Sequence, residues 1–168
     1  MLETTATVIT QFNRKVGDWC SLLMLPMLFV AVYEVFMRYA FNAPTSWGFE
    51  LTIFIYGVHF IIGYSYTDAH DGHVRVDIFS SRLQPRSKAI LDIITLLVIF
   101  FPFMTLMTAF AGKFAFLSAS TKELASSSWA PPIWPVKILM VLGFFLLWLQ
   151  GLGHLLHNLH VALKAKAD

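Results

Sequence analysis

The twenty residues from Ile93 to Gly112 contain no charged side chain. At about 1.5 Å of rise per residue, a helix of that length matches the roughly 30 Å hydrocarbon core of a bilayer. A water-facing helix needs a polar face, and this run has none, which excludes a soluble fold. Three further apolar runs are long enough to cross. The predicted spans are roughly 16–39, 46–67, 89–116 and 134–156, within a single domain over 1–168 and without an internal repeat. The fold class expected is therefore an all-α membrane protein with four transmembrane helices. Charged residues make up 13% of the chain, against roughly 25% in soluble domains. They cluster between the apolar runs, as membrane topology requires.

Local signals sharpen the helix boundaries. Pro26 is expected to bend the first helix. Pro44 precedes the second, whose start Thr45 or Ser46 can cap. The third contains Pro102 and Gly112. Pro135 falls in the first turn of the fourth, where its missing N–H costs little. The first fifteen residues include acid and several threonines but no apolar core, so they do not read as a cleavable signal, and the first helix is expected to be retained. The single cysteine, Cys20, excludes an intrachain disulfide. A net charge of +2 gives no argument for nucleic acid.

Orientation follows from the basic residues. Arg14, Lys15, Arg75, Arg82, Arg86, Lys88, Lys164 and Lys166 fall on one side, eight against the four of Arg38, Lys113, Lys122 and Lys137. Both termini and the second loop are thus expected in the cytoplasm, an N-in/C-in arrangement. The 118–132 connection, with its serine run and Pro131-Pro132, is expected outside and partly non-helical. Trp47, Trp129 and Trp134 suit the outer aromatic belt, and Trp19 the inner one. After Gly72, Val74, Val76, Ile78, Phe79 and Leu83 alternate with Arg75, Asp77, Ser80, Ser81 and Arg82. That pattern predicts a short amphipathic segment on the cytoplasmic membrane surface, a reading that explains more residues than a metal held by His70, Asp71, His73 and Asp77.

Few side chains could carry chemistry. Glu34 and Arg38 have the i, i+4 spacing and order of a helical ion pair, and Glu50 enters at a similar depth, so the three are expected to cluster near the outer interface. A proton or ion site is one reading of these acids; a structural pair that fixes helix register is the preferred one. His59 lies near the middle of the second helix in a stripe with Thr52, Tyr56, Gly63 and Tyr66, which is expected to face other helices. It reads as a buried neutral histidine, with a haem ligand as the sharper alternative. His154, His157 and His160 fan through about 240° and do not converge on a metal. No catalytic, cofactor or metal site is expected.

An ordered set of residues carries a resemblance. Arg38-Tyr39, Phe41-Asn42, Pro44, Trp47, Glu50, Gly63, the box Gly72-His73-Val74-Arg75-Val76-Asp77, and Leu83 with Pro85-Arg86 resemble the small, DctQ-like membrane subunit of tripartite ATP-independent periplasmic (TRAP) transporters. The resemblance implies an inner-membrane scaffold without turnover of its own. It would anchor a large multispanning subunit that performs sodium-coupled uptake of an organic acid delivered by a periplasmic binding protein. It further implies that Arg38, Trp47 and Glu50 hold the outer ends of the first two helices, and that His73, Arg75 and Asp77 hold the cytoplasmic turn. Two other classes compete: a haem-bearing anchor of a respiratory complex with His59 and His154 as axial ligands, and a small proton-coupled exporter working through Glu34.

Overall fold

The computed structural model describes residues 2–73 and 83–164. Six α-helices build four apolar membrane-length rods. Helices α1 (Leu2–Ser21) and α2 (Met24–Ala40) form the first rod, and α3 (Gly48–Ala69) is the second. Helix α4 (Pro85–Thr95), one π-helical turn (Leu96–Phe100) and α5 (Phe101–Ser120) make the third, and α6 (Trp134–Lys164) the fourth. The four expected spans are all present.

Proline chemistry explains both interruptions. Pro26 has no N–H to give to the Leu22 carbonyl, so that oxygen accepts instead from Leu25 N at 3.1 Å. The turn before it tightens, with Leu22 N reaching Trp19 O at 3.3 Å and Leu23 N reaching Cys20 O at 3.0 Å. The rod is broken there into α1 and α2 rather than merely bent. In the third rod Pro102 cannot donate to Val98, and the ladder widens ahead of it, Phe101 N bonding back to Leu96 O.

Three rods differ from the sequence expectation, each by lengthening. The first rod begins at Leu2 and not near Val16, the third runs Pro85–Ser120, and the fourth reaches Lys164. Only α3, at 22 residues, is the length of a bilayer crossing, about 33 Å. The other rods have 39, 36 and 31 residues. Their surplus gathers beyond the Ala69 end of α3, where the start of α1, the start of α4 and the end of α6 meet. Extra length is tolerated there because it is amphipathic or polar and pairs with itself: Ala6 and Ile9 of α1 lie against Gly153 of α6.

Helix α6 is the spine, packing on α1, α3, α4 and α5, while α2 packs chiefly on α3. Away from α1 the helices follow the order α2, α3, α6, α5, with α1 seated between α3 and α6. Close approach is bought by glycine at defined points. A Cβ on Gly17 would stand 2.1 Å from the Tyr66 ring, and one on Gly151 would stand 2.1 Å from the Phe100 ring. Cys20, Val58, Ile62 and Leu146 form the small apolar core where α1, α3 and α6 converge.

The segment 74–82 lies outside the described residues. It contains Arg75 and Asp77 and nearly all of the expected amphipathic segment.

Candidate functional site

Two polar clusters sit at opposite ends of the bundle. At the end formed by the 41–47 turn, Glu34 is 7% exposed, and it ties α2 to the connection that leads into α3. One carboxylate oxygen accepts from Arg38 Nη2 at 2.6 Å. The other accepts from the Thr45 backbone N–H at 3.1 Å and from the Thr45 hydroxyl. Thr45 in turn accepts the Gly48 N–H at 3.1 Å, fulfilling the expected capping role at the start of α3. Gly48 is required there, because a Cβ would come within 2.8 Å of Glu34 Oε2. Trp47 stacks on Tyr33 of α2 with ring centroids 5.8 Å apart.

Glu50 is not part of this cluster. It projects to the other side of α3 and accepts from the Ser127 hydroxyl at 2.8 Å, and that same hydroxyl caps the Ala130 N–H at 3.1 Å. A helix turns about 100° per residue, so Glu50, two residues past Gly48, faces the 121–133 connection. That connection is held at its base by Glu123, whose carboxylate meets Lys137 Nζ at 2.5 Å and whose backbone pairs with Ile133. Lys137 also lies 3.9 Å over the Phe114 ring.

The Lys137 ammonium beside it holds the Glu123 carboxyl below its ordinary range. A carboxyl lowered on folding contributes stability that is present above the unfolded pKa, about 4.3, and is lost as pH falls through the lower folded value. Protection of the 121–133 connection from proteolysis is therefore expected to be unchanged from pH 7 to pH 5 and to fall only below the usual glutamate range. Lys137→Gln should move that loss upward in pH; an unchanged midpoint would refute the link.

Midway along α3, His59 Nδ1 donates to Cys20 O at 3.3 Å, and the Cys20 thiol reaches back to His59 O at 4.0 Å. The expected stripe is split: Thr52, His59 and Tyr66 face α1 and α2, whereas Tyr56 is exposed. His59 and His154 do not converge on one haem. His154 Nε2 donates to Asp68 Oδ2 at 3.0 Å, and Asp68 is nine residues beyond His59, about 13 Å along α3.

The second cluster lies at the Ala69 end. Arg14 caps α3 through two bonds to Ala69 O, 3.0 Å from Nε and 2.8 Å from Nη2, placing its charge where the helix dipole favours a cation. Asn13 Nδ2 donates to Gln150 Oε1 at 2.8 Å, and Gln150 Nε2 to Thr10 at 3.3 Å. A cleft of about 740 Å³ opens beside them, with Arg14, Lys88, Asp92 and His157 in its lining. His160 reaches Glu3 of α1 at 3.4 Å, so the three α6 histidines do fan apart. His70 and His73 bond to backbone carbonyls of α3, at Tyr66 and Tyr64. Among the described residues no three His, Cys, Asp or Glu side chains could share a metal ion.

A family profile described as "Tripartite ATP-independent periplasmic transporters, DctQ component" matches residues 27–160. The chain belongs to that family. No match is found among curated proteins. The DctQ match begins inside α2 and ends inside α6, so it covers the Glu34 and Glu50 anchors and the 121–133 connection. The whole of α1, with Asn13 and Arg14, precedes it. The Asn13–Gln150 and Arg14–Ala69 contacts were not foreseeable from the sequence, since their partners stand 137 and 55 positions apart. Only the 7, 4 and 3 residue spacing of Ala6, Asn13, Gly17 and Cys20 hints that α1 buries one face.

Proposed function

We propose that this DctQ-family chain is the static scaffold of a TRAP-type transporter in a bacterial inner membrane, with both termini cytoplasmic. It anchors a large multispanning subunit that carries out sodium-coupled uptake of an organic acid, and a periplasmic binding protein delivers that acid near the 121–133 connection. The chain itself performs no reaction and moves no substrate.

The observation that carries this reading is how the polar side chains of the membrane rods are used. Glu34 serves Arg38 and Thr45, His59 serves Cys20, Asn13 serves Gln150, and Asp68 serves His154. Transporters that bind ions at mid-membrane use half-helix ends and unwound carbonyls aimed at a cavity. Here the one unwound stretch of the first rod gives its carbonyls to Leu23, Leu25 and His59.

Reconstitution tests the proposal. Vesicles holding this chain and its large partner, supplied with binding protein and a sodium gradient, are expected to accumulate a labelled organic acid, and omission of either membrane chain should abolish uptake. Proton-coupled efflux by this chain alone, lost in Glu34→Gln, would overturn the scaffold reading in favour of an exporter.

A further inference from the structure

One face of α3 is left uncovered by the other described residues. Phe49, Ile53, Tyr56, Gly57, Phe60 and Tyr64 fall within a continuous arc of about 100° at the helical repeat. The five with side chains are between 44% and 67% exposed. Exposure alone is ordinary for a membrane helix, and the exposed face of the third rod, with Val98, Ile99, Phe103 and Phe110, suits lipid chains well. The α3 arc differs from it in two independent respects.

The first is hydrogen bonding. Tyr56 is eight residues past the start of α3, about 12 Å along the axis of a 22-residue apolar helix. Its hydroxyl has no hydrogen-bond partner among the described residues, and lipid tails offer none. Tyr64, on the same face, is five residues from the Ala69 end of α3, about 8 Å along the axis. The Tyr56 ring is also held in place rather than free to swing. It packs on Phe60 at 4.7 Å between centroids, and Phe60 packs edge-on against Tyr64 at 6.1 Å.

The second is the glycines. Gly17, Gly48, Gly143 and Gly151 each have a neighbour so close that a Cβ would collide with it. Gly57 and Gly63, at the two margins of the arc, have open space where a Cβ would stand. Glycine weakens a helix interior, and among the described residues no close neighbour offsets that cost at these two. A second helix lying close against the backbone would, as small residues do at membrane helix contacts.

We propose that this face of α3 is the docking surface for a transmembrane helix of the large partner subunit. That helix lies along the aromatic ladder, approaches the backbone at Gly57, and accepts the Tyr56 hydroxyl proton on a backbone carbonyl or a Ser, Thr or Asn oxygen. The inference rests on the scaffold reading and assigns it a face. A hydrocarbon chain would leave the phenol unpaired. A second copy of this chain would set bulky aromatics against bulky aromatics, whereas a separate membrane partner is what a tripartite assembly supplies.

Co-purification of the tagged chain with its co-expressed large subunit tests the assignment. Gly57→Leu is expected to lose the large subunit from the eluate and Tyr56→Phe to reduce it, while Gly112→Leu, on the open groove between α5 and α6, retains it. Gly57→Leu should leave the melting temperature of the isolated chain unchanged or raised, because the site is open and leucine favours helix. In a Cys20→Ser background, Ile53→Cys should resist a membrane-permeant maleimide in the complex and react in the isolated chain, and Phe103→Cys should react in both. Retention of the partner by Gly57→Leu with Ile53→Cys still reactive would assign the face to lipid and overturn the proposal. Loss of a self-associated species in Gly57→Leu with the partner retained would also overturn it, in favour of a second copy. If the wild-type chain captures no large subunit, the scaffold reading itself fails, a result distinct from either.

Discussion

Gly143→Val is expected to cost about 2–3 kcal/mol and to part the seam between α3 and α6. The site has no slack. A Cβ at Gly143 would meet Ile61 Cγ2 at 2.8 Å and the Ile61 backbone carbon at 3.1 Å. A rotamer change can move the methyl, but only a shift of α3 can move the backbone. Because α3 also carries Glu34's partner Thr45 at its entry and Ala69, capped by Arg14, at its exit, that shift strains both clusters at once. Gly57→Ala on the same pair of rods is the matched control. Its added methyl enters open space, so it should stabilise the isolated chain by roughly 0.5–1 kcal/mol. Unfolding of the purified chain in mixed micelles, titrated with denaturing detergent, reads both. Equal stability of the two variants would show that the seam is not close-packed.

The buried amide pair gives the second large effect, and the loss shrinks from the single to the double variant. Asn13 and Gln150 are 0% and 1% exposed. Gln150→Leu removes the 2.8 Å acceptor of Asn13 Nδ2 and leaves only a long 3.4 Å contact to Leu146 O. The Asn13 Oδ1 already has no partner. An amide stranded in that state costs about 1–3 kcal/mol. Asn13→Leu/Gln150→Leu removes both amides and should recover most of the loss. A hydrogen bond between membrane helices contributes only about 0.6 kcal/mol on average, less than stranding one amide costs. A double-mutant cycle measured in the same detergent titration is expected to show a coupling of about 1–2 kcal/mol. Additive losses would mean that the two side chains do not depend on each other.

What could be read from the sequence tracks hydrophobicity. The run from Ile93 to Gly112 announces a membrane rod because apolar length is a one-dimensional property. The ion pair of Glu34 and Arg38 could be read for a similar reason, since its partners are four residues apart on one helix. The start of α1 could not, because residues 2–15 are amphipathic and bury only Ala6 and Asn13, against α6. Glu50 was legible as an anchor, but its partner was not. Spacing places it at the depth of Glu34, yet the helical turn sends it to Ser127, 77 positions away. Pro26 announced a bend, which the structure makes a break, while the widened turn ahead of Pro102 was not foreseen.

The seating of α1 between α3 and α6 also bears on how the chain is made. Synthesis runs from the N-terminus, so α1 enters the membrane first and its principal partner, the spine, is completed last. Until residues near 150 emerge, Asn13 has no amide to meet, and the polar first half of α1 has only water and headgroups for company. Its amphipathic character suits that wait at the membrane surface. The bundle thus closes backward, α6 onto α1, and that step waits until α6 has been made.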